Sequence, residues 1–347
     1  MSKTGQTGIV RQPRVADFPT YGLLVFLGVL SLLAAACSSP STSVTRPEGA
    51  RLIPSDPVSA DDLHRQVAEP SVGRASGEPS PREPIIHVIG SVRSAPDVVT
   101  DWHLGVPLTI DDVGTVANLG CAPSTGCEPN AVAAWAKGQL QLMNVATRAA
   151  AIDGPVTLAD QVLALENAGV LTIGYGQTIE SAVAPVFLRA DGFTIALHAI
   201  SLADDPNAMA TATSAGIAGP TALDALREAV IASRDSGYGV VVLVDWDRPD
   251  SRAPNDEELA DVGPLVDLGV DAIVGHGSNF LQRFDQVGKT VVAYSLGNGI
   301  TTDDNPLFSD TAVLRLEFNT PGRSCLIPAT ASGAGPALDD PRVIRCG

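Results

Sequence analysis

The chain has 347 residues, 45% hydrophobic and 18% charged, enough apolar material for a sizeable core in one large or two small domains. Acidic residues outnumber basic ones 39 to 22, for a formal net charge of −17. That balance argues against a nucleic-acid partner, which needs a concentrated basic face, and against electrostatic capture of anionic lipid or polymer by the folded body. No regular internal repeat is visible, which argues against a solenoid or propeller.

Residues 1–20 carry Lys3, Arg11 and Arg14 against Asp17, and an uncharged run follows from Tyr21 to Ala36, Y-G-L-L-V-F-L-G-V-L-S-L-L-A-A-A. A positive flank, a short apolar run and small residues at its end make the pattern of an export signal. The run falls short of the roughly 20 residues that span a bilayer comfortably, which favours cleavage over an uncleaved signal anchor. Cys37 comes next, and L-A-A-A-C-S-S-P resembles a bacterial lipobox, with Ala34 where leucine is preferred and Leu33 one place earlier. The resemblance implies a signal peptide over residues 1–36 and an acylated Cys37. The mature protein would then be lipid-anchored on the extracytoplasmic face of the cell membrane. Residues 37–83 are rich in Ser and Pro and keep no hydrophobic period, so they are expected to form a flexible tether. The folded domain is expected over residues 84–347.

Within that domain, Pro84–Gly90 and Gln139–Val145 are expected as strands, the first a short apolar run ending in glycine. Thr157–Ala168 has apolar residues at helical spacing and closes on Gly169, so it is expected as a helix. Leu171–Gly174 reads as a brief strand, and Val186–Arg189 with Thr194–Ala199 as a hairpin around Asp191-Gly192. Thr221–Arg234 and Asp256–Leu268 are expected as helices, the second closing on Gly269. Gly239–Val244, Asp271–Gly275 and Thr290–Tyr294 are expected as buried strands, and Ala312–Phe318 alternates as a half-exposed one. The pattern is a mixed α/β layer domain with helices on the sheet faces, and chemistry is expected in the loops past the strands' carboxyl ends.

Besides Cys37, the cysteines are Cys121, Cys127, Cys325 and Cys346, which allow three disulfide connectivities. Local pairing, Cys121–Cys127 and Cys325–Cys346, is the simplest, each closing a loop rich in small residues and proline. A four-cysteine zinc site lacks the close ligand spacing on both sides.

The segment D-A-I-V-G-H-G-S-N-F-L-Q-R-F-D-Q-V-G-K-T-V-V-A-Y-S-L-G-N, Asp271 to Asn298, resembles the bacterial CapA family of capsule and poly-γ-glutamate synthesis proteins. That family shows D-x-I-V-G-H-H-P-H-x-x-Q, then G-K, then Y-S-L-G-N. The likeness extends through V-V-L-V-D-W-D, N-A-G-V-L-T-I-G-Y-G and N-V-A-T-R-A-A-A-I-D-G, and covers about residues 84–318. It implies a calcineurin-like metallophosphoesterase fold, a four-layer α/β/β/α sandwich, with cell-surface polymer or its biosynthesis proteins as partners. The family's metal motifs are altered. Its first strand ends in Gly-Asp, and here stands Gly90-Ser91; its Asn-Leu-Glu is Asn118-Leu119-Gly120; its Asn-His followed by Asp aligns with Arg148, Ala149 and Ile152. The histidine of its H-W-G becomes Asp245 with Trp246 retained, and of G-H-H-P-H only His276 survives, beside Gly277 and Asn279.

A two-metal centre needs several carboxylate and imidazole ligands converging on both ions. The altered motifs therefore point to no cofactor, or at most one weakly bound divalent metal on Asp245, His276 and Asn279. Arg148 is expected to fill the vacant cation position and pair with Asp245. The expected pocket comprises Asn118, Arg148, Asp245, Trp246, His276, Asn279 and Asn298. Two functions stay open: a non-catalytic envelope lipoprotein that binds or scaffolds, and a hydrolase or transferase on surface polymer using Asp245, Asp247 and His276 as a remodelled acid/base site. His87 and His198 read as core histidines. Ser295 lacks the glycines of a nucleophile elbow, and Gly174-Tyr175-Gly176 lacks the rest of a dinucleotide fingerprint.

Overall fold

The computed structural model describes residues 84–94, 112–137, 140–190, 193–203, 208–303, 305–318, 324–332 and 337–338. The expected signal peptide, Cys37, the tether, Cys346 and the Asp191-Gly192 turn lie outside these residues. By its contacts the chain divides into Met1–Arg46 and Pro47–Gly347, and every described residue belongs to the second unit. Among the described residues no helix is long and apolar enough to cross a membrane.

In chain order the strands are β1 (Ile85–Val92), β2 (Asp112–Leu119), β3 (Leu142–Asn144), β4 (Leu171–Ile173), β5 (Tyr175–Gly176), β6 (Val186–Ala190), β7 (Phe193–Ser201) and β8 (Gly216–Ile217). They continue with β9 (Gly239–Asp245), β10 (Ala272–His276), β11 (Phe284–Val287), β12 (Thr290–Ala293), β13 (Asn298–Ile300), β14 (Asp310–Glu317), β15 (Cys325–Thr330) and β16 (Ala337–Leu338). The helices are α1 (Pro129–Ala136), α2 (Arg148–Ala151), α3 (Pro155–Asn167), α4 (Ile179–Ala182), α5 (Leu223–Asp235) and α6 (Asp256–Asp267).

Two sheets carry the fold. One runs β16-β15-β14-β1-β2-β3-β4 with β13 added beside β1; the other runs β11-β12-β10-β9-β7-β6. In the first, β1, β2, β3 and β4 are parallel neighbours; in the second, β7, β9, β10 and β12 are. Their facing sides share one core, in which Ile86, Val88, Val116 and Leu314 meet Leu197, Val241, Leu243 and Val274. The outer face of the first sheet packs Ile89, Ala117 and Leu119 against Val132 and Trp135 of α1 and Leu158 and Leu165 of α3. The outer face of the second packs Val240, Val242 and Val244 against Leu226 and Val230 of α5 and Val262 and Leu265 of α6. The result is an α/β/β/α sandwich, helix layers outside and two sheets within, as the resemblance implied. Each large apolar side chain so buried contributes about 1.5–3 kcal/mol, which is why β9, G-V-V-V-L-V-D, is buried along its whole length.

Local chemistry explains the element ends. Asn255 caps α6, accepting from the Glu258 amide while Glu258 reaches back to Asn255 N, a reciprocal box that satisfies two otherwise orphan donors. The helix beginning at Pro155 starts two residues before the expected Thr157, because Pro at the first turn costs no hydrogen bond. Several elements depart from expectation. β2, α1, β11, β13 and β15 were not anticipated: in β2, Gly114, Thr115 and Asn118 interrupt any clean alternation in D-V-G-T-V-A-N-L. β14, expected half-exposed, is almost wholly buried. It lies inside its sheet between β1 and β15, with Val313 in the outer core and Leu314 in the inner one.

Cys121 and Cys127 form a disulfide closing the loop between β2 and α1. Gln161 of α3 donates to both their carbonyls, tying that loop to the helix layer. Cys325 is buried at the start of β15.

Candidate functional site

The carboxyl ends of the parallel strands of both sheets come together at one place. A cavity of about 160 Å³ opens there, lined by residues that include Ser91, Arg93, Asn118, Thr147, Asp245 and Asp247. A β-bulge aims the first of these. Between Val88 and Ser91 the strand β1 carries one more residue than β2, so Ser91 comes onto the same side as Val88, toward the space between the sheets. Only glycine fits at Gly90, where a Cβ would lie 2.4 Å from Gly297 O.

The left wall is a relay of neutral groups. Asn144 Nδ2 donates to Asn118 Oδ1 (2.8 Å), Asn118 Nδ2 donates to Ser91 Oγ (3.1 Å), and Asn144 Oδ1 accepts from Ala146 N (2.9 Å). These three sit side by side in register across β1, β2 and β3. On the opposite side Asp245 lines the cavity, and Ser201 and His276 are its register neighbours on β7 and β10. Asp245 is buried and its Oδ2 accepts from Ser201 Oγ (3.1 Å) and from the Arg148 backbone amide (3.0 Å). Burial pushes its carboxyl up, against the pull of the Arg148 N–H.

Arg148 does not fill the interior as expected. Thr147 caps α2, accepting from Ala150 N, so Arg148 begins a helix with its backbone amide toward Asp245 and its side chain outward. The guanidinium instead meets Asp247 Oδ2 at 3.1 Å, both side chains being partly exposed. Such a surface pair contributes about 0–1 kcal/mol. Asp247 is the one non-glycine with positive φ (52°) among the described residues, a conformation Asp tolerates better than most.

The cation between the strand ends is Arg93, half-buried and one residue past β1. Its Nε donates to Asn298 Oδ1 (3.2 Å), Nη1 to Gly120 O (3.3 Å) and Nη2 to Gly277 O (3.5 Å). Burial lowers its affinity for its proton, and the carboxylates of Asp245 and Asp247 raise it. The pocket expected from the sequence includes neither Arg93 nor Asn144. Both follow or end an early strand of a parallel sheet, and in a chain this acidic an arginine at that place was the available signal.

Other expected pocket residues lie elsewhere. Strand alternation turns Trp246 away from Asp245 into the outer core, where its Nε1 donates to Tyr294 O (2.9 Å). His276 is buried and does not line the cavity, and among the described residues neither ring nitrogen has a hydrogen-bond partner. Burial, and secondarily the Arg93 charge, lower its pKa to about 3. Asn279 is half-buried, its amide bonded to Pro249 O, and Asn298 is held by Arg93. Asn118, Arg148, Asp245 and Asp247 do line the cavity, whereas His276 and Asn279 do not.

These donors do not fit a two-metal centre. Among the described residues no three His, Cys, Asp or Glu side chains gather at metal-binding distance. Asn118 Oδ1 and Asn298 Oδ1 are already taken by Asn144 and Arg93. A bridging carboxylate is lacking at Ser91, and a guanidinium charge stands inside the cavity. Among the described residues Asp245, His276 and Asp247, the last paired with Arg148, remain, short of what two cations require.

Fold and cavity thus define a four-layer α/β/β/α protein whose strand-end site is organised by arginine and asparagine rather than by clustered metal ligands. The chain belongs to the family of bacterial capsule synthesis proteins PGA_cap, which matches residues 109–303. It is 26% identical over 197 residues to the capsule biosynthesis protein CapA of Bacillus anthracis, covering 54% of this chain and 48% of that one. It is 32% identical over 100 residues to the PGA biosynthesis protein CapA of Bacillus subtilis (strain 168), covering 28% and 26%. The chain therefore spans about half the length of the first relative and about a quarter of the second. Among solved structures, Haemophilus influenzae NAD nucleotidase aligns with a TM-score of 0.45 and 10% identity over 72% of this chain and 56% of that one. A novel phosphatase from Mycoplasma pneumoniae aligns at 0.40 and 10%, over 72% and 94%.

Proposed function

We propose that this protein is a lipid-anchored envelope component of capsule or poly-γ-glutamate biosynthesis that binds or scaffolds rather than hydrolysing phosphoesters. Family membership supports the biological assignment. The observation that carries the non-catalytic reading is the Arg93 guanidinium, fixed inside the cavity by Asn298, Gly120 and Gly277. Two-metal hydrolysis needs cations that lower the pKa of an attacking water, and this donor set does not supply their ligands. An acid/base pair on Asp245 and Asp247 is disfavoured, because Asp245 is bonded to Ser201 and Arg148 and Asp247 is paired with Arg148. Cell-surface polymer or the proteins that make it are the proposed partners.

The test is elemental analysis of the purified protein after dialysis, with phosphodiesterase assays over added Mn²⁺ and Zn²⁺. Less than one bound metal per chain and no turnover are expected. Two bound metals per chain, or turnover abolished by His276→Ala, would overturn the reading.

Attachment is proposed through Cys37, with the protein facing the outside of the cell membrane. Stable anchoring needs more than one acyl chain, and a diacylated, N-acylated cysteine meets that need. Cys37→Ser is expected to release the protein from the membrane fraction or to leave unprocessed precursor. Normal processing and fractionation of that variant would reject the anchor.

A further inference from the structure

We infer that Arg93 is a built-in substitute for a divalent cation: its guanidinium plugs an oxygen-lined hole and cross-links strand ends of both sheets. The inference rests on reading the cavity as metal-free. The three acceptors around Arg93 come from three separate places, Gly120 just past β2, Gly277 just past β10, and Asn298 at the start of β13. Arg93 itself follows β1, so one side chain joins four segments. All three acceptors are neutral carbonyl oxygens, and the carboxylates of Asp245 and Asp247 supply the balancing charge from nearby. Carbonyl oxygens with carboxylates are the ligand chemistry of a hard cation. A guanidinium meets it with a planar fork of donors that keeps its charge.

The hole is shaped for this side chain. A Cβ at Gly120 would lie 3.1 Å from Arg93 Cδ and from Ser91 Cβ, so a side chain there would crowd the arginine. A Cβ at Gly277 would lie 2.6 Å from Asp245 Oδ1 and from Asp247 N, pushing the two acids apart. The absent side chain at Gly120 thus leaves room for Arg93, and the one at Gly277 lets the two acids approach each other.

The experiment is thermal melting of the full chain carrying Arg93→Lys, Arg93→Met or Arg93→Ala, with and without millimolar methylguanidinium or Mn²⁺. Removing the charge together with its three part-buried hydrogen bonds is expected to lower Tm by roughly 6–15 °C in Arg93→Met. Arg93→Lys, which keeps the charge and loses the fork, should melt between Arg93→Met and wild type. Arg93→Ala, which empties the hole, should regain stability with methylguanidinium or Mn²⁺, whereas wild type should respond to neither. Arg93→Met melting with wild type, or Arg93→Lys melting no higher than Arg93→Met, overturns the inference. So does Arg93→Ala that folds and responds to neither cation. If Arg93→Ala does not fold, the order of the Lys and Met variants decides. Failure of these tests with a metal-free wild type leaves the proposed function standing, whereas two metals on wild type remove both.

Discussion

Gly277→Ala is expected to destabilise the protein by roughly 3–5 kcal/mol, although it adds a single methyl group to a loop. The backbone at Gly277 has φ +99°, a left-handed conformation that costs an L residue about 1–2 kcal/mol. The added Cβ would also stand 2.6 Å from both Asp245 Oδ1 and Asp247 N, wedging open the contact between those two atoms. Gly277 O accepts from Arg93, so any shift of this loop is passed to the interior cation. Urea unfolding of Gly277→Ala beside the wild type gives the comparison, and coincident unfolding of the two would show that the loop is slack.

Acidification through the histidine range is the second large effect expected. His198 is buried on β7, its ring nitrogens at 3.3 Å from Val183 O and 3.1 Å from Ser233 Oγ. Burial lowers its pKa from 6.5 to about 4, and His87, buried in β1 across from Arg315, is likewise lowered to about 4. Between those values the unfolded chain binds more protons than the folded one, so stability is full above 6.5 and lost as pH falls toward 4. Each histidine accounts for on the order of 3 kcal/mol, and His276 acts in the same direction. The carboxyls of Asp245, Glu258, Asp271 and Asp285 are raised by burial and oppose this, because the folded state then holds their protons more tightly. Their influence begins as pH falls through those raised values, above the ordinary carboxylate range, and is common to wild type and His198→Gln. Urea midpoints above pH 6.5 and near pH 4 should differ more for wild type than for His198→Gln. Equal pH dependence in the two would mean that His198 is not the group responsible.

Periodicity made most of the framework legible. Continuous apolar runs such as G-V-V-V-L-V marked strands covered on both faces, and Asp256 to Gly269 marked a helix with its stop, because these signals are local. The motif around Gly275-His276 and Tyr294 to Asn298 carried the family, and with it the layer order. β2 was missed for the same physical reason that makes it useful. Its polar Asn118 and its small Gly114 serve the strand's surroundings, so they break the alternation by which a strand is read.

The sequence by itself determined that this acidic chain forms an α/β layer domain, that its metal motifs are altered, and that Asn118, Arg148, Asp245 and Asp247 belong to one region. Only the tertiary structure decided which cation occupies the interior. Arg93 and Arg148 carry the same charge, and their positions in the chain give no measure of depth. The cap at Thr147 turns Arg148 outward, while the bulge in β1 and the space at Gly120 admit Arg93 to the oxygens between the sheets. Strand phase likewise sent Trp246 to the outer core, away from Asp245. Those placements depend on register between strands far apart in sequence, and a local pattern carries no information about register.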